Sequence, residues 1–144
     1  MQQVKKYKIG YTTGVFDMFH IGHLNILKHA KEQCEYLIVG VTTDDLCFSR
    51  KHKYPIISQQ ERMEIVRSCK YVDRVIPQEN MDKLAIVQQY HVEAVFVGSD
   101  WKGTAAWEQY EQDFLKKGNG CKVVYLDHTE GISSSILRDR LNNL

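Results

Sequence analysis

The sequence predicts an α/β fold built on a five-stranded parallel sheet that is doubly wound, with helices on both faces. Two observations lead to this fold class. Five short apolar runs alternate with stretches whose apolar residues recur at helical spacing. The runs have no polar face, which is typical of parallel strands covered by helices on both sides. Right-handed crossovers between such strands give a Rossmann-like sheet, and 144 residues suit a single domain over residues 1–144.

The strands and helices can be placed in order along the chain. The five predicted strands are residues 7–13, 36–41, 73–77, 94–98 and 122–126. The helical stripes between them are Leu24, Leu27, Ala30 and Cys34, then Leu84, Val87 and His91, then Trp107, Tyr110 and Phe114. We expect Asn80 to cap the second of these helices and Gly118 to end the third. Ser58 and Glu61 form a capping box for a further helix that contains Arg62.

Residues 42–57 form the long segment that we predict to be irregular. Their sequence, TTDDLCFSRKHKYPII, is too polar for the core and long enough for a functional loop. Arg50, Lys51 and Lys53 make it basic, and a charge run of this kind is most often a solvated face. Beyond the second strand, such a loop can also be mobile and close over a bound phosphate.

The overall charge and the cysteines narrow the classes of function. The chain has 19 basic and 18 acidic residues, a net charge of +1, so no broad electrostatic field favours nucleic acid or anionic lipid. Cys34, Cys47, Cys69 and Cys121 contain no C-x-x-C pair and are interpreted as reduced thiols in or near the core. Without a signal peptide or a long apolar run, the sequence predicts a soluble cytosolic protein with neither nucleic acid nor membrane as partner.

The first strand-to-helix turn, GVFDMFHIGH over residues 14–23, carries two histidines and a glycine. In a doubly wound sheet, ligands bind beyond the carboxyl ends of the strands, where this turn lies. His20 and His23 share a face if they begin a helix, Gly22 allows close approach to the backbone, and the helix start offers unpaired N–H groups. The two histidines, the glycine and the helix start together favour binding of a phosphate and reaction at it. A metal pair or ordinary surface or core histidines are the alternatives, and zinc would need a third ligand.

A second anion site is predicted after the last strand, in TEGISSSILRDR over residues 129–140. Gly131 allows a tight approach, and one of the serines at 133–135 is explained by capping a helix. Further hydroxyl and N–H groups there can hold phosphate oxygens, while a plain capped helix is the alternative. Neither a P-loop nor a dinucleotide fingerprint is present in the sequence.

Other polar residues near strand ends have more than one interpretation. Asp17 can face His20, a magnesium ion or a backbone turn. Asp100 and Trp101, in GSDWKG after the fourth strand, can contact a ribose or a base. Trp101 is equally well explained as a core residue.

Taken in order, the motifs GVFDMFHIGH, YVDRVIP, GSDW and TEGIS resemble those of the HxGH nucleotidyltransferases, and specifically the cytidylyltransferase family. The resemblance covers nearly the whole chain and is strongest to the small bacterial members that act on glycerol 3-phosphate. It implies transfer of CMP from CTP to a small phosphorylated alcohol, with glycerol 3-phosphate as the expected acceptor and pyrophosphate as the second product. It also implies Mg²⁺ as cofactor and a homodimer.

The resemblance implies roles for individual residues. His20, His23 and Lys51 are the expected catalytic residues: the two histidines stabilise the transition state on the α-phosphate, while Lys51 and Lys53 serve the incoming phosphate or the triphosphate. The expected nucleotide-binding residues are Thr13, Gly14, Phe16, Asp17, Gly22, Gly98, Asp100, Trp101, His128, Thr129, Gly131, Ile132, Ser133 and Ser134. The expected acceptor-phosphate residues are Lys51, Lys53, Arg62 and Lys70. No protein side chain is assigned to a metal.

Two positions depart from the family's pattern. His128 stands where arginine is usual, so a permanent charge becomes a titratable one. Lys70 stands where arginine is common before YVD, and lysine cannot make a bidentate contact with phosphate. Both changes leave open how the nucleotide is held and which acceptor is used. Because His128 is titratable, we expect activity to fall as pH rises through the histidine range.

Several other functions fit the same residues. An adenylyltransferase of the same fold would use ATP, and related cytidylyltransferases act on phosphocholine, phosphoethanolamine or another polyol phosphate. A nucleotide-binding module without catalysis would bind CTP but release no pyrophosphate. The letters HIGH also occur in class I aminoacyl-tRNA synthetases, but this chain has neither their second signature loop nor a tRNA-binding bulk.

Overall fold

The computed structural model describes residues 5–127, 129 and 131–144. One sheet contains the strands β1 (Tyr7–Gly14), β2 (Cys34–Thr42), β3 (Arg74–Gln78), β4 (Ala94–Gly98) and β5 (Lys122–Leu126). The helices are α1 (Ile21–Gln33), α2 (Asp44–Lys51), α3 (Gln59–Arg67), α4 (Lys83–Tyr90), α5 (Ala105–Lys117) and α6 (Ser134–Asn142), with a short 3-10 turn at Ser99–Trp101. None of the helices within those ranges is long and apolar enough to cross a membrane.

The strands lie in the order β3-β2-β1-β4-β5 and pair in parallel. β1 has β2 on one side, with Tyr7 opposite Cys34, and β4 on the other, with Gly10 opposite Ala94. The chain therefore moves outward from β1 through β2 to β3, and then returns to β4 on the other side of β1. This reversal is the switch point of a doubly wound sheet, so the predicted fold class is confirmed.

Apolar residues cover both faces of the sheet. On one face, Leu27 of α1 and Phe96 of β4 belong to a core that also includes α3. On the other face, Val95 of β4 packs in a second core with Val87 of α4 and Phe114 of α5. Neighbouring residues of β4 thus point into different cores, because side chains alternate along a strand. Helices on both faces are therefore observed, as the apolar strands predict.

Helix α2 corrects the expectation of an irregular segment over residues 42–57. Thr43 caps this helix, since its hydroxyl accepts a hydrogen bond from the Leu46 N–H at 3.1 Å. The first turn is acidic and the last turn is basic, which suits the helix dipole. Cys47 is the buried residue of α2, so the helix lies on the surface and its composition is mostly polar. That composition explains why the sequence suggested a loop.

Smaller predictions about helix ends are also corrected. The N-cap of α4 is Asp82, whose carboxylate accepts a hydrogen bond from a first-turn N–H at 3.1 Å, while Asn80 accepts one from the Asp82 N–H. His91 is exposed and ends α4 in a left-handed conformation, whereas Cys34 follows the last residue of α1, caps that helix by donating its N–H to the Lys31 carbonyl, and begins β2. The predicted cap of α5 at Gly118 is confirmed.

Candidate active site

A cavity of about 610 Å³ opens at the carboxyl ends of the strands, beside the switch point between β1 and β4. It is lined by the turn between β1 and α1, by α2 and the residues after it, by the turn after β4, and by the segment from β5 into α6. The predicted site residues that line it are Thr13, Gly14, Phe16, Asp17, His20, Gly22, His23, Lys51, Lys53, Asp100, Thr129, Gly131, Ile132, Ser133 and Ser134. Most of the predicted site is therefore brought together in one place.

The turn between β1 and α1 has an unusual backbone. Phe16 and Met18 both adopt left-handed conformations, with φ of 56° and 50°. Such conformations are unfavourable for residues other than glycine, so the surrounding structure must hold them. One restraint is the buried Phe16 ring, whose centroid lies 5.4 Å from that of His23. The buried carboxylate of Asp17, between the two strained residues, is another.

His20 and His23 are fixed by hydrogen bonds to the start of α1. The Gly22 N–H donates to His20 Nδ1 at 3.0 Å, and the His20 N–H donates to His23 Nδ1 at 3.2 Å. The two rings stack with their centroids 3.9 Å apart. Because each Nδ1 accepts a hydrogen bond, each neutral ring carries its proton on Nε2. The pair therefore presents two Nε2–H donors to the cavity. The backbone N–H groups of His20 and Gly22, which were expected to be free for a ligand, are occupied by the two imidazoles.

Both imidazoles are neutral near physiological pH. Burial lowers the pKa of His20 below its ordinary value. The pKa of His23 falls to about 4, because burial and the neighbouring His20 oppose its protonated form more than the Asp17 carboxylate favours it. The pair is consequently a source of hydrogen bonds rather than of positive charge.

Gly22 is required by the ring of His20. A Cβ atom at position 22 would lie 2.8 Å from His20 Cε1 and 3.0 Å from its Nδ1. These separations are shorter than a side chain tolerates, so a substitution would displace the imidazole. The predicted reason for this glycine was close approach of a ligand to the backbone. Gly22 does line the cavity, but packing of the histidine ring is what excludes other residues.

Asp17 joins three segments around the cavity. Its carboxylate is 2% exposed and accepts hydrogen bonds from the N–H groups of Ile56 and Ile57 at 2.8 and 2.9 Å. Arg138 of α6 donates to the same carboxylate at 2.6 Å, and Ser134 donates its hydroxyl to the Asp17 carbonyl at 2.8 Å. Burial raises the pKa of Asp17, but the donors outweigh it and hold the pKa below its ordinary value. Of the three interpretations of Asp17, the structure favours the backbone contact.

These contacts also restrict the basic segment. Lys51 lies in the last turn of α2, and only Lys53 belongs to the connection between α2 and α3. That connection is held at its far end by the Asp17 carboxylate. Both lysines line the cavity as predicted, but the segment that carries them is shorter and better fixed than a mobile loop.

Arg62 does not line the cavity, and its predicted contact with the acceptor phosphate is corrected. The residue is 1% exposed. Its Nε donates to the Ile57 carbonyl at 2.9 Å, and its Nη1 donates to the carbonyls of Val15 and Thr42 at 2.7 and 2.8 Å. Its Nη2 donates to the Asp44 carboxylate at 2.6 Å. The guanidinium therefore fastens the ends of β1 and β2 to α2 and to the start of α3.

Three other predicted site residues, Lys70, Gly98 and Trp101, do not line the cavity. Lys70 precedes β3 at the amino edge of the sheet, opposite the cavity, and its ammonium lies 5.3 Å from the Tyr71 ring centroid. Its expected contact with the acceptor phosphate is therefore corrected. Gly98 and Trp101 are not among the lining residues, and Trp101 is exposed rather than in the core. His128 lies outside the described residues.

The segment from β5 into α6 forms one wall of the cavity. Ser133 caps α6 by accepting a hydrogen bond from the Ile136 N–H at 3.1 Å, so the capping role expected of one serine is found. The Thr129 hydroxyl accepts a hydrogen bond from the Asn25 side chain at 2.8 Å, which ties this wall to α1. Gly131 has a φ of 77°, a left-handed conformation that glycine adopts easily. We call residues 131–135 the serine turn.

The prediction from sequence missed several lining residues. They are Val15, Ile26, Cys47, Tyr54, Ser135, Ile136 and Arg138. Arg138 is the most consequential, because a guanidinium is a permanent charge and can bind phosphate through several N–H groups. Its position one helical turn after Ser134 was the signal that could have indicated it. Cys47 and Tyr54 were hidden in the segment that was expected to be irregular.

A metal ion would find few protein ligands here. No group of three or more histidine, cysteine, aspartate or glutamate side chains that could hold one occurs within residues 5–127, 129 and 131–144. Both oxygens of the Asp17 carboxylate already accept hydrogen bonds. Magnesium at this site would therefore depend mainly on the phosphate oxygens of a bound nucleotide and on water.

Comparison with known proteins agrees with this geometry. A family model described as cytidylyltransferase-like matches residues 11–140. The glycerol-3-phosphate cytidylyltransferase of Bacillus spizizenii is 36% identical over 134 residues, which cover 92% of this chain and 96% of the relative. The FAD synthase of Thermococcus sibiricus is 41% identical over 126 residues, which cover 86% of this chain and 84% of the relative.

The fold is also found in a solved structure. The crystal structure of the lipopolysaccharide core biosynthesis protein from Thermoplasma volcanium matches with a TM-score of 0.74 and 28% identity, covering 85% of this chain and 98% of that one. The family model spans most of the chain, and the switch point and the histidine turn lie inside the matched residues. The chain therefore belongs to the cytidylyltransferase-like family of nucleotidyltransferases.

Proposed function

We propose that the protein transfers CMP from CTP to glycerol 3-phosphate, giving CDP-glycerol and pyrophosphate. The observation that carries this proposal is the stacked pair of His20 and His23, whose Nε2–H donors belong to a cavity between a basic wall and the serine turn. The choice of acceptor is supported by the 36% identity to the Bacillus spizizenii enzyme over nearly its whole length.

The proposed reaction is a displacement at phosphorus. An oxygen of the acceptor's phosphate monoester attacks the α-phosphorus of CTP, and the bond from that phosphorus to the bridging oxygen of pyrophosphate breaks. The attacking phosphate is already ionised near neutral pH, so the reaction needs no general base. The barrier comes from charge that develops on the phosphoryl oxygens, and the site has to stabilise that charge.

The side chains of the cavity divide this task. His20 and His23 donate hydrogen bonds to the α-phosphate, and their rings are oriented by the backbone before substrate binds. Positive charge comes from Lys51 and Lys53 on one wall and Arg138 on the other. The serine turn and the start of α6 hold the outer phosphates, which leave as pyrophosphate.

Mg²⁺, a dimer and a cytosolic location complete the proposal. When bound with CTP, Mg²⁺ would be held mainly by the phosphate oxygens of the nucleotide and would neutralise part of their charge. The homodimer is supported by the resemblance to cytidylyltransferases, and light scattering of the purified protein tests it. The four free cysteines are compatible with a reducing compartment, which supports the cytosol.

A second candidate is adenylyl transfer from ATP to a flavin phosphate. It is supported by the 41% identity to the FAD synthase of Thermococcus sibiricus, over 84% of that protein. The two reactions share the same chemistry at phosphorus and differ in the base and in the size of the acceptor. The histidine pair therefore fits both, and substrates have to distinguish them.

Pyrophosphate release separates the two candidates. The protein is assayed with CTP and glycerol 3-phosphate, and in parallel with ATP and FMN, each with Mg²⁺. We expect release from the first pair only, and none when glycerol 3-phosphate is omitted. Release from ATP and FMN alone would reverse the assignment. Binding of CTP with no release from either pair would make the protein a nucleotide-binding module.

A further inference from the structure

The strand order divides the cavity into two sides. β2 lies on one side of β1, and the segment after β2 brings Lys51, Lys53 and Tyr54 to the cavity. β4 and β5 lie on the other side, and the segments after them bring Asp100 and the serine turn. The two histidines follow β1, between the two sides.

Displacement at phosphorus assigns the incoming acceptor and the leaving pyrophosphate to different sides of the cavity. In-line attack places the incoming acceptor and the leaving pyrophosphate on opposite sides of the reacting phosphorus. The proposed function assigns pyrophosphate to the serine turn. The acceptor then enters from the β2 side, where Lys53 and Tyr54 lie.

Tyr54 is held in a defined position on the β2 side. Its ring stacks on that of Phe48 from α2, with the centroids 4.6 Å apart and an interplanar angle of 19°. Two residues later, the Ile56 N–H is hydrogen-bonded to the buried Asp17 carboxylate. Tyr54 is nevertheless 60% exposed and lines the cavity, so one ring face and the hydroxyl remain available to a ligand.

The charged side chains that line the cavity beside Tyr54 are positive. Lys51 and Lys53 come from the same segment as Tyr54, whereas Arg138 lies on the opposite wall, in α6. The Asp17 carboxylate is occupied by Arg138 and by two backbone N–H groups. A cationic acceptor would therefore meet like charge on this side. It would also find one ring with one free face, whereas quaternary ammonium groups are bound by cages of several rings.

We propose that Tyr54 forms the wall of the acceptor subsite and selects a neutral polyol phosphate over an amino-alcohol phosphate. Lys51 and Lys53 bind the acceptor's phosphate. The carbons of the polyol pack on the free face of the Tyr54 ring, and one of its hydroxyls pairs with the phenol hydroxyl. This inference rests on the proposed function and adds the residue that decides between glycerol 3-phosphate and the phosphates of choline or ethanolamine.

Equilibrium binding tests the role of Tyr54 separately from turnover. Calorimetry gives the Kd of sn-glycerol 3-phosphate, ethanolamine phosphate and phosphocholine for the wild type, Tyr54→Phe and Tyr54→Ala. We expect the wild type to bind glycerol 3-phosphate at least about tenfold more tightly than the other two. Tyr54→Phe should weaken glycerol 3-phosphate alone by about fivefold to tenfold, the effect of one hydrogen bond. Tyr54→Ala should weaken glycerol 3-phosphate further and leave only the difference that is due to the charge of Lys51 and Lys53.

Tyr36→Phe is the matched control. Tyr36 is exposed at the start of β2, at the opposite edge of the sheet, and its substitution should change none of the affinities. Equal or undetectable binding of all three acceptors by the wild type would overturn the inference. Tyr54 variants that weaken all three alike would overturn it as well. Failure of the proposed function appears separately, as absence of pyrophosphate release by the wild type with CTP and glycerol 3-phosphate.

Discussion

His20 and His23 owe their chemistry to the ring atoms that face the protein. Each Nδ1 accepts a backbone N–H, so a second proton on either ring would have to break a hydrogen bond at the start of α1. The rings are therefore held as neutral donors, and the lowered pKa values agree with this state. Neutral donors cannot balance the charge of a triphosphate. The permanent cations of the cavity, among them Arg138, have to supply that balance.

The first prediction concerns the Nε2–H of His20. We expect His20→Asn to lower kcat by about 10² to 10³, because one preorganised donor to the developing charge is lost. Asparagine keeps an oxygen that can accept the Gly22 N–H, so α1 retains its cap and the protein should unfold at an unchanged denaturant midpoint. Steady-state kinetics and urea titration measure the two effects. Turnover within a few-fold of the wild type would contradict the role of the histidine.

The second prediction concerns Arg138. Arg138→Gln removes the charge but keeps an N–H donor for Asp17. We expect the KM for CTP to rise about tenfold or more, because a charge-assisted hydrogen bond is worth about 1.5–3 kcal/mol, while the KM for the acceptor changes less. Arg140→Gln is the control, since Arg140 is exposed in the last turn of the same helix. Equal behaviour of the two variants would exclude Arg138 from nucleotide binding.

The third prediction concerns His128, which replaces the family's usual arginine. A histidine carries charge only below its pKa, ordinarily about 6.5, so the KM for CTP should rise as pH increases from about 6 to 8. His23, with a pKa of about 4, stays neutral throughout that interval and contributes nothing to the change. His128→Arg should remove the rise. A KM for CTP that is independent of pH in the wild type would argue against charge at this position.

At the scale of elements, α2 shows what a local pattern can indicate. The capping threonine, the acidic first turn and the basic last turn were all visible in the sequence. An apolar stripe was not visible, because Cys47 is the buried residue of α2. Since apolar periodicity is the main signal for a helix, the segment was interpreted as a loop. The function of Arg62 had no local signal at all. Its hydrogen bonds join segments that are far apart in the chain, and only the tertiary structure brings them together.

The fourth prediction measures how strongly Arg62 holds these elements. Arg62→Met leaves three carbonyls and the Asp44 carboxylate without this partner, so we expect the free energy of unfolding to fall by about 3–5 kcal/mol. Arg67→Met, on the exposed side of the same helix, should change it by less than about 0.5 kcal/mol. Urea denaturation compares the two variants. A small effect of Arg62→Met on unfolding, with a large effect on the KM for the acceptor, would restore the original prediction of phosphate binding.

At the scale of the whole molecule, the sequence was enough to predict the sheet. It was not enough to predict at which edge of the sheet each site residue lies. Apolar runs indicated β4 and β5 to the residue, and helices between the strands implied parallel pairing. The carboxyl-edge rule then placed the histidine turn correctly. Lys70 was assigned to the acceptor phosphate by the family resemblance and not by this rule, and it lies before its strand, at the other edge of the sheet. Sequence adjacency to a motif does not show which edge a side chain occupies.

Lys83 links the stability of the whole molecule to pH. It begins α4, is 3% exposed, and its ammonium lies 5.4 and 5.2 Å from the ring centroids of Trp107 and Tyr110. Burial and then the charge of Arg50 lower its pKa from 10.5 to about 8. Between these values the unfolded chain binds more protons than the folded one. The contribution of Lys83 to stability should therefore rise with pH across this window, whereas Cys34 and Cys121, whose pKa values burial raises to about 11 and about 12, act in the opposite direction.

The fifth prediction follows from this linkage. We expect Lys83 to raise the free energy of unfolding by about 1.5 kcal/mol between about pH 8 and 9.5, below the range in which unfolded tyrosines ionise. Lys83→Met has no group to titrate and should not show this increment. The difference between the two urea-derived curves isolates Lys83 from other titrating groups. Parallel curves would mean that the ammonium is solvated in the folded protein.

The connection between α2 and α3 is tied down at both ends, by the turn at His52 that closes α2 and by Asp17 at Ile56 and Ile57. A stretch fixed in this way can vary in sequence while its termini stay in place. Replacing Tyr54 and Pro55 by the residues of a relative with another acceptor would change the acceptor preference while Lys51, Lys53 and the histidine pair stay in place. On the proposed role of Tyr54, the choice of acceptor and the chemistry at phosphorus are carried by different segments, so the first can be changed without moving the second.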